Sequence, residues 1–166
     1  MFFTRYRSVK LLNNRYILSR YYLISVAKRL GVFKDFNYCF SHSGRYSAFV
    51  ISSDLNHVSL DIERIDRRLP ESLKLKLRGV YNDLILPELN IIMIFETLAK
   101  LPMINPPVIL SKGITDNFPV DITTISNNIF EVSVNDKKVY SKIYTFADFY
   151  ICVTLEENVF DDCVHY

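Results

Sequence analysis

Two short stretches of this chain place acidic and basic residues at spacings that chemistry could use. Asp61 and Glu63 stand two apart in Val58-Ser59-Leu60-Asp61-Ile62-Glu63, and Glu96 and Lys100 stand four apart in Phe95-Glu96-Thr97-Leu98-Ala99-Lys100. A strand alternates its side chains with period two, so Val58, Leu60 and Ile62 would share one face and His57, Ser59, Asp61 and Glu63 the other. On a helix, positions i and i+4 are neighbours, and Glu ahead of Lys is the favourable order. Three carboxylate oxygens meeting at one point suit a hard divalent cation, Mg²⁺ first, with water and phosphate oxygens completing its octahedron. A further polar run, Ser41-His42-Ser43-Gly44, offers hydroxyl and imidazole donors to a phosphate. Each pattern also has an ordinary structural role. A D-x-E is commonly an exposed strand edge, an E-x-x-x-K a helix-surface pair, and a lone histidine a turn residue.

The elements that must position these groups can be read from periodicity and punctuation. A helix is expected over about 15–30, with a broad apolar side (Ile17, Leu18, Tyr21, Tyr22, Ile24) and Gly31 as its stop. Strands are expected at 36–40, 46–53 and 57–63, with 41–44 as a turn. Pro70 opens a short helix over about 70–78, ended by Gly79, and Pro87 opens a longer one over about 87–101. The second is apolar almost all round, so it should be buried, which makes Glu96 conspicuous. Pro102 and Pro106-Pro107 close it. Strands follow at 118–124, 129–134, 139–145 and 149–155, with a hairpin turn in Val134-Asn135-Asp136-Lys137-Lys138-Val139. The acidic tail is expected to fray. This order reads as α+β.

With 166 residues the chain suits one domain, 1–166, built as an N-terminal half of about 1–68 and a C-terminal half of about 69–166. Hydrophobic residues at 49% and charged residues at 23% are globular values, which exclude a disordered or fibrous chain. No apolar run approaches the roughly 20 residues that span a bilayer, so the expected location is cytoplasmic, without membrane association. Cys39, Cys152 and Cys163 form no C-x-x-C pair and point to neither a disulfide framework nor a zinc site. The net charge of +2 hides an asymmetry: 1–83 carries 15 Lys+Arg against 7 Asp+Glu, and 84–166 carries 5 against 11. The basic half suggests an anionic partner, although a solvated helix face would also account for it.

Taken together, the ordered set Phe40-Ser41-His42-Ser43-Gly44-Arg45-Tyr46, then Asp61-x-Glu63, then Glu96-x-x-x-Lys100, resembles the 4′-phosphopantetheinyl transferase superfamily, in its larger single-chain type. The resemblance runs from about residue 15 to 100, with a weak echo in Lys112-Gly113. Ser59 stands where that family has Gly, Phe95 where it has Lys, and Thr97 where it has Ala; the chain has no Trp and no Gly-Lys-Pro loop. The resemblance implies a fold of two small helix-plus-antiparallel-sheet halves packed together. It implies Mg²⁺-dependent transfer of the phosphopantetheine arm from coenzyme A to a serine of an apo acyl or peptidyl carrier protein, by a monomer. Asp61, Glu63 and Glu96 would hold Mg²⁺. Glu96 would take the serine proton, and Lys100 would orient Glu96. Ser41, His42 and Arg15 would contact coenzyme A phosphates.

Two alternatives stand beside this. One is a catalytically weak relative that binds carrier protein or coenzyme A. The other, less favoured, is a small basic nucleic-acid-binding domain, for which no base-stacking motif of the common modules is present. On the residues alone, a metal site predicts that Asp61→Asn keeps or slightly raises the melting temperature without metal, because like charges repel in the empty site.

Overall fold

The structure, a computed structural model, describes residues 7–13, 21, 24, 25, 27–29, 31, 37–44, 46–52, 57–104, 120–126, 128–134, 136–158, 160 and 163–165; for 7–13 and 163–165 the backbone alone is described. Among the described residues, two sheets and two principal helices make up an α+β fold. The first sheet has the order β2-β3-β1-β9, from β1 (Arg7–Asn13), β2 (Asn37–Ser43), β3 (Tyr46–Ser52) and β9 (Cys163–His165). The second has the order β4-β8-β7-β6-β5, from β4 (Val58–Arg64), β5 (Val120–Ser126), β6 (Ile129–Val134), β7 (Lys137–Phe146) and β8 (Phe149–Leu155). Neighbouring strands are antiparallel except β1 and β9, which pair parallel. Each sheet draws from both ends of the chain, since β4 joins the second sheet and β9 the first.

Helices α1 (Glu71–Val80) and α2 (Glu88–Ala99) lie between β4 and β5 in sequence. Pro87 caps the start of α2 with φ of −56°, the value its ring enforces. Met93, Ile94 and Leu98 are fully buried, each worth roughly 1.5–3 kcal/mol of hydrophobic stabilisation. They join Val132, Val139 and Ile143 in the core between α2 and the second sheet. The opposite face of that sheet carries Leu60, Ile62, Ile151 and Val153, and packs on Ala48 and Val50 of the first sheet. Strand β4 is therefore covered on both sides. That is why Ser59 and Asp61, on its polar face, are 0% and 2% exposed.

A row of hydroxyls sits under α2. Thr97 Oγ1 donates to the Ile94 carbonyl at 2.7 Å and lies 2.6 Å from Thr154 Oγ1, which in turn lies 2.7 Å from Ser141 Oγ. All three residues are completely buried.

Several boundaries differ from the sequence expectation. The run Ser41-His42-Ser43 is not a turn but the end of β2, paired with Ala48, Ser47 and Tyr46 of β3; Gly44, with φ of 59°, opens the tight connection that follows. Gly79 does not end α1. The helix runs to Val80, and the Tyr81 amide donates to the Leu77 carbonyl at 2.8 Å. Neither β1 nor β9 was expected, and the tail, anticipated as frayed, supplies β9. The helix expected over 15–30 falls largely outside the described residues, but Tyr21, Ile24, Ser25 and Ala27–Arg29 are helical and Gly31 has φ of 72°. The hairpin at 134–139 is present, with Asp136 at φ of 61° and Val134 opposite Lys137.

Candidate metal centre

The site forms where the edges of the two sheets meet. Strand β2 lies beside β4, and the bridging pairs keep one offset: Ser41 Oγ donates to Asp61 Oδ1 at 2.7 Å, and Ser43 Oγ to Glu63 Oε2 at 3.1 Å. The constant offset means that the two strands run the same way. Because β2 is a strand, Ser41 and Ser43 share a face and His42 points from the other, where it is exposed.

Helix α2 brings the third carboxylate. Asp61, Glu63 and Glu96 each offer an oxygen, and these oxygens lie within 4.8 Å of one another. Asp61 is nearly inaccessible, while the Glu63 and Glu96 side chains are 16% and 25% exposed. The Asp61 carboxylate is only half satisfied. Its Oδ1 accepts from Ser41 and from Lys100 Nζ at 2.9 Å, while its buried Oδ2 has no hydrogen-bond partner among the described residues. A buried, unpaired carboxylate oxygen is costly in an empty protein, and a cation ligated there would remove the cost. The all-oxygen donor set fits Mg²⁺.

Two cations of the chain attend the carboxylates. Lys100 caps the C-terminus of α2 and spends its three donors on Asp61 Oδ1, the Leu60 carbonyl at 2.9 Å and Ser41 Oγ at 3.3 Å. It therefore anchors Asp61 and β4; the i,i+4 spacing had suggested Glu96 as its partner. Glu96 instead has Arg67 Nη1 at 3.8 Å, and that guanidinium also hydrogen-bonds Glu63 Oε1. Arg67 is four residues beyond Glu63 and Ser43 lies within the polar run 41–44, and neither was assigned to the site from sequence. Arg64 pairs with Asp66. Arg15 and Lys112-Gly113 lie outside the described residues.

Glu96 is pushed up to about 7, first by burial and then by the Asp61 charge, against the opposing pull of Arg67 and Lys100. An acid raised in the folded state binds a proton that the unfolded chain has released. Between about pH 4.5 and 7, stability should then fall as pH rises. Relative to wild type, Glu96→Gln should flatten this dependence, with a difference on the order of 2 kcal/mol across the window in metal-free buffer. Melting temperatures measured from pH 4.5 to 8 on both proteins check it, and parallel curves would remove Glu96 as the cause.

Cys39 and Cys152 take no part. Burial pushes Cys152 up to about 12 and also raises Cys39, so neither supplies a thiolate at neutral pH. His57 pairs with Glu156 at 2.8 Å, away from the cluster. No helix among the described residues is long and apolar enough to cross a membrane. The sequence matches no protein-family model and no curated protein.

Proposed function

We propose that this chain transfers the 4′-phosphopantetheine arm of coenzyme A to a serine hydroxyl of an apo acyl or peptidyl carrier protein, with Mg²⁺ bound by Asp61, Glu63 and Glu96. One observation carries the reading. Three sequence motifs that resemble those of phosphopantetheinyl transferases, on β2, β4 and α2, converge within hydrogen-bonding distance through Ser41, Asp61 and Lys100. When bound, Mg²⁺ would neutralise the pyrophosphate of the donor and hold it for in-line displacement.

The residues of the chain would do the rest. The serine oxygen bonds to the phosphorus beside the pantetheine arm, the bond from that phosphorus to the departing phosphate breaks, and adenosine 3′,5′-bisphosphate leaves. Glu96, grouped with the other two carboxylates, would accept the serine proton. Lys100, hydrogen-bonded to its Oδ1, would hold the Asp61 carboxylate in place. Ser41 fixes the same carboxylate from β2. His42, exposed at the rim of that strand, is assigned to a coenzyme phosphate. The basic half of the chain favours an acidic carrier protein.

A second reading has its own support. Lys100 and Arg67 already pair with the three carboxylates and offset most of their charge, as they would in a relative that binds carrier protein or coenzyme A without transferring the arm. Incubation with coenzyme A, Mg²⁺ and a panel of apo carrier proteins, read by intact mass, separates the two. The expected result is a phosphopantetheine mass gain on at least one carrier, absent in EDTA. No gain with folded protein across the panel rejects transfer and leaves the binding role.

A further inference from the structure

Arg67 occupies a position that the cation-site reading does not account for. It lies on the turn that leaves β4, where its amide donates to the Arg64 carbonyl at 3.0 Å and Ile65 is tied to the Asp148 carbonyl at 2.9 Å. That backbone is held, so what can move is the side chain. Among the described residues, the guanidinium contacts are with Glu63 and Glu96 alone. It is 38% exposed, against 16% and 25% for the two carboxylates beneath it, so it covers them on the solvent side. Lys100 differs in kind. It is bonded to a carbonyl and a hydroxyl as well as to Asp61, and those acceptors would retain it whatever the charge of the site.

We propose that Arg67 is a displaceable counter-cation. It offsets part of the charge of Glu63 and Glu96 when no divalent ion is bound, and it swings into solvent when an ion takes their oxygens. This rests on the cation-site part of the reading above and not on the transfer reaction. A divalent ion needs the oxygens that the guanidinium engages, so the two occupants exclude each other at Glu63. The apparent affinity for the ion is then reduced by the population in which Arg67 is docked. The device also spares the metal-free protein the repulsion of two half-buried carboxylates.

The probe is Mn²⁺ alone, titrated by calorimetry or by its electron paramagnetic resonance signal, with no coenzyme or carrier present. Arg67→Gln removes the charge, and Arg67→Lys keeps it but loses the planar fork. Arg67→Gln should bind Mn²⁺ about three- to tenfold more tightly than wild type, the equivalent of one partly exposed ion pair. It should also melt at a lower temperature without metal, with the gap closing at saturating Mn²⁺. Arg67→Lys should likewise bind more tightly than wild type. Equal or weaker binding by Arg67→Gln overturns the proposal. So does wild-type affinity in Arg67→Lys, which would mean that the charge acts through space without docking. Absence of Mn²⁺ binding in all three proteins would reject the cation site itself, while a failed carrier-protein assay with intact Mn²⁺ binding would reject only transfer.

Discussion

Replacing Lys100 with methionine is expected to cost about 3 kcal/mol of stability, or roughly 6–12 °C in melting temperature for a chain of this size. The Asp61 carboxylate is 2% exposed and, among the described residues, has one cation at hydrogen-bonding distance, Lys100 at 2.9 Å. Without the ammonium, Oδ1 keeps only the Ser41 hydroxyl, and Oδ2 remains without a partner. A buried charge stripped of its partner is the costly half of a broken ion pair. Two controls sharpen the expectation. Saturating Mg²⁺ should restore more stability to Lys100→Met than it adds to wild type, because the ion supplies the missing positive charge. The double variant Asp61→Asn/Lys100→Met should be less destabilised than the sum of the single changes, since each removes the reason for the cost of the other. Thermal melts on the four proteins, with Mg²⁺ and with EDTA, decide it. Additive losses would mean that Lys100 stabilises through its contacts with Leu60 and Ser41 alone.

Asp61→Asn is expected to abolish Mg²⁺-dependent stabilisation and to reduce carrier-protein transfer at least about a hundredfold, the scale seen when a group that stabilises developing charge is removed. Its effect on the metal-free protein is opposite to what the sequence alone implied. Mutual repulsion among three carboxylates argued for an unchanged or raised melting temperature. The structure sets a nearer interaction against that repulsion. Lys100 is 2.9 Å from Asp61, whereas the carboxylate oxygens have up to 4.8 Å between them, and Arg67 already offsets Glu63 and Glu96. Attraction at the shorter distance wins. Lys100 keeps two neutral acceptors and is 31% exposed, so the loss should be modest, about 1–2 kcal/mol. A rise in melting temperature, with metal response lost, would restore the repulsion argument; a retained metal response would remove Asp61 from the site.

Much of the framework was legible because local pattern and burial agreed. Strands β6 and β8 match their expected bounds, and α2 is buried as its all-round apolar sequence required. What failed depended on partners distant in sequence. Strand β1 is a basic stretch with no clean alternation, held by β3 on one side and β9 on the other. Strand β9 has three residues, too few for any periodic signal. Ser41 and His42 were placed in one turn because Gly44 follows them; as strand residues they diverge, one toward Asp61 and the other toward solvent.

The site divides along the same line. Alternation along β4 is local, so the shared face of Asp61 and Glu63 could be read directly. That Glu96 would join them came from the family resemblance and not from local pattern, because it depends on how α2 crosses the sheet. The i,i+4 rule identified Lys100 but assigned it to Glu96. A C-capping lysine can extend beyond its own helix, and here it finds β4. Arg67 follows from the turn after β4, whose course rests on its bond to Asp148 in another hairpin.

The buried hydroxyl row under α2 bears on how firmly that helix is indexed. Packed leucines and isoleucines are forgiving partners: a helix could slide by one residue, turning about 100° and advancing about 1.5 Å, and still find greasy surface. Thr97 cannot make that slide cheaply, because its hydroxyl would leave Thr154 with Ser141 as its one remaining hydroxyl partner in a fully buried layer. Glu96 is the residue just before Thr97, so the same detent fixes the direction in which its carboxylate points. The aiming of a surface-reaching acid is thus set from below, by three small side chains that are themselves fully buried.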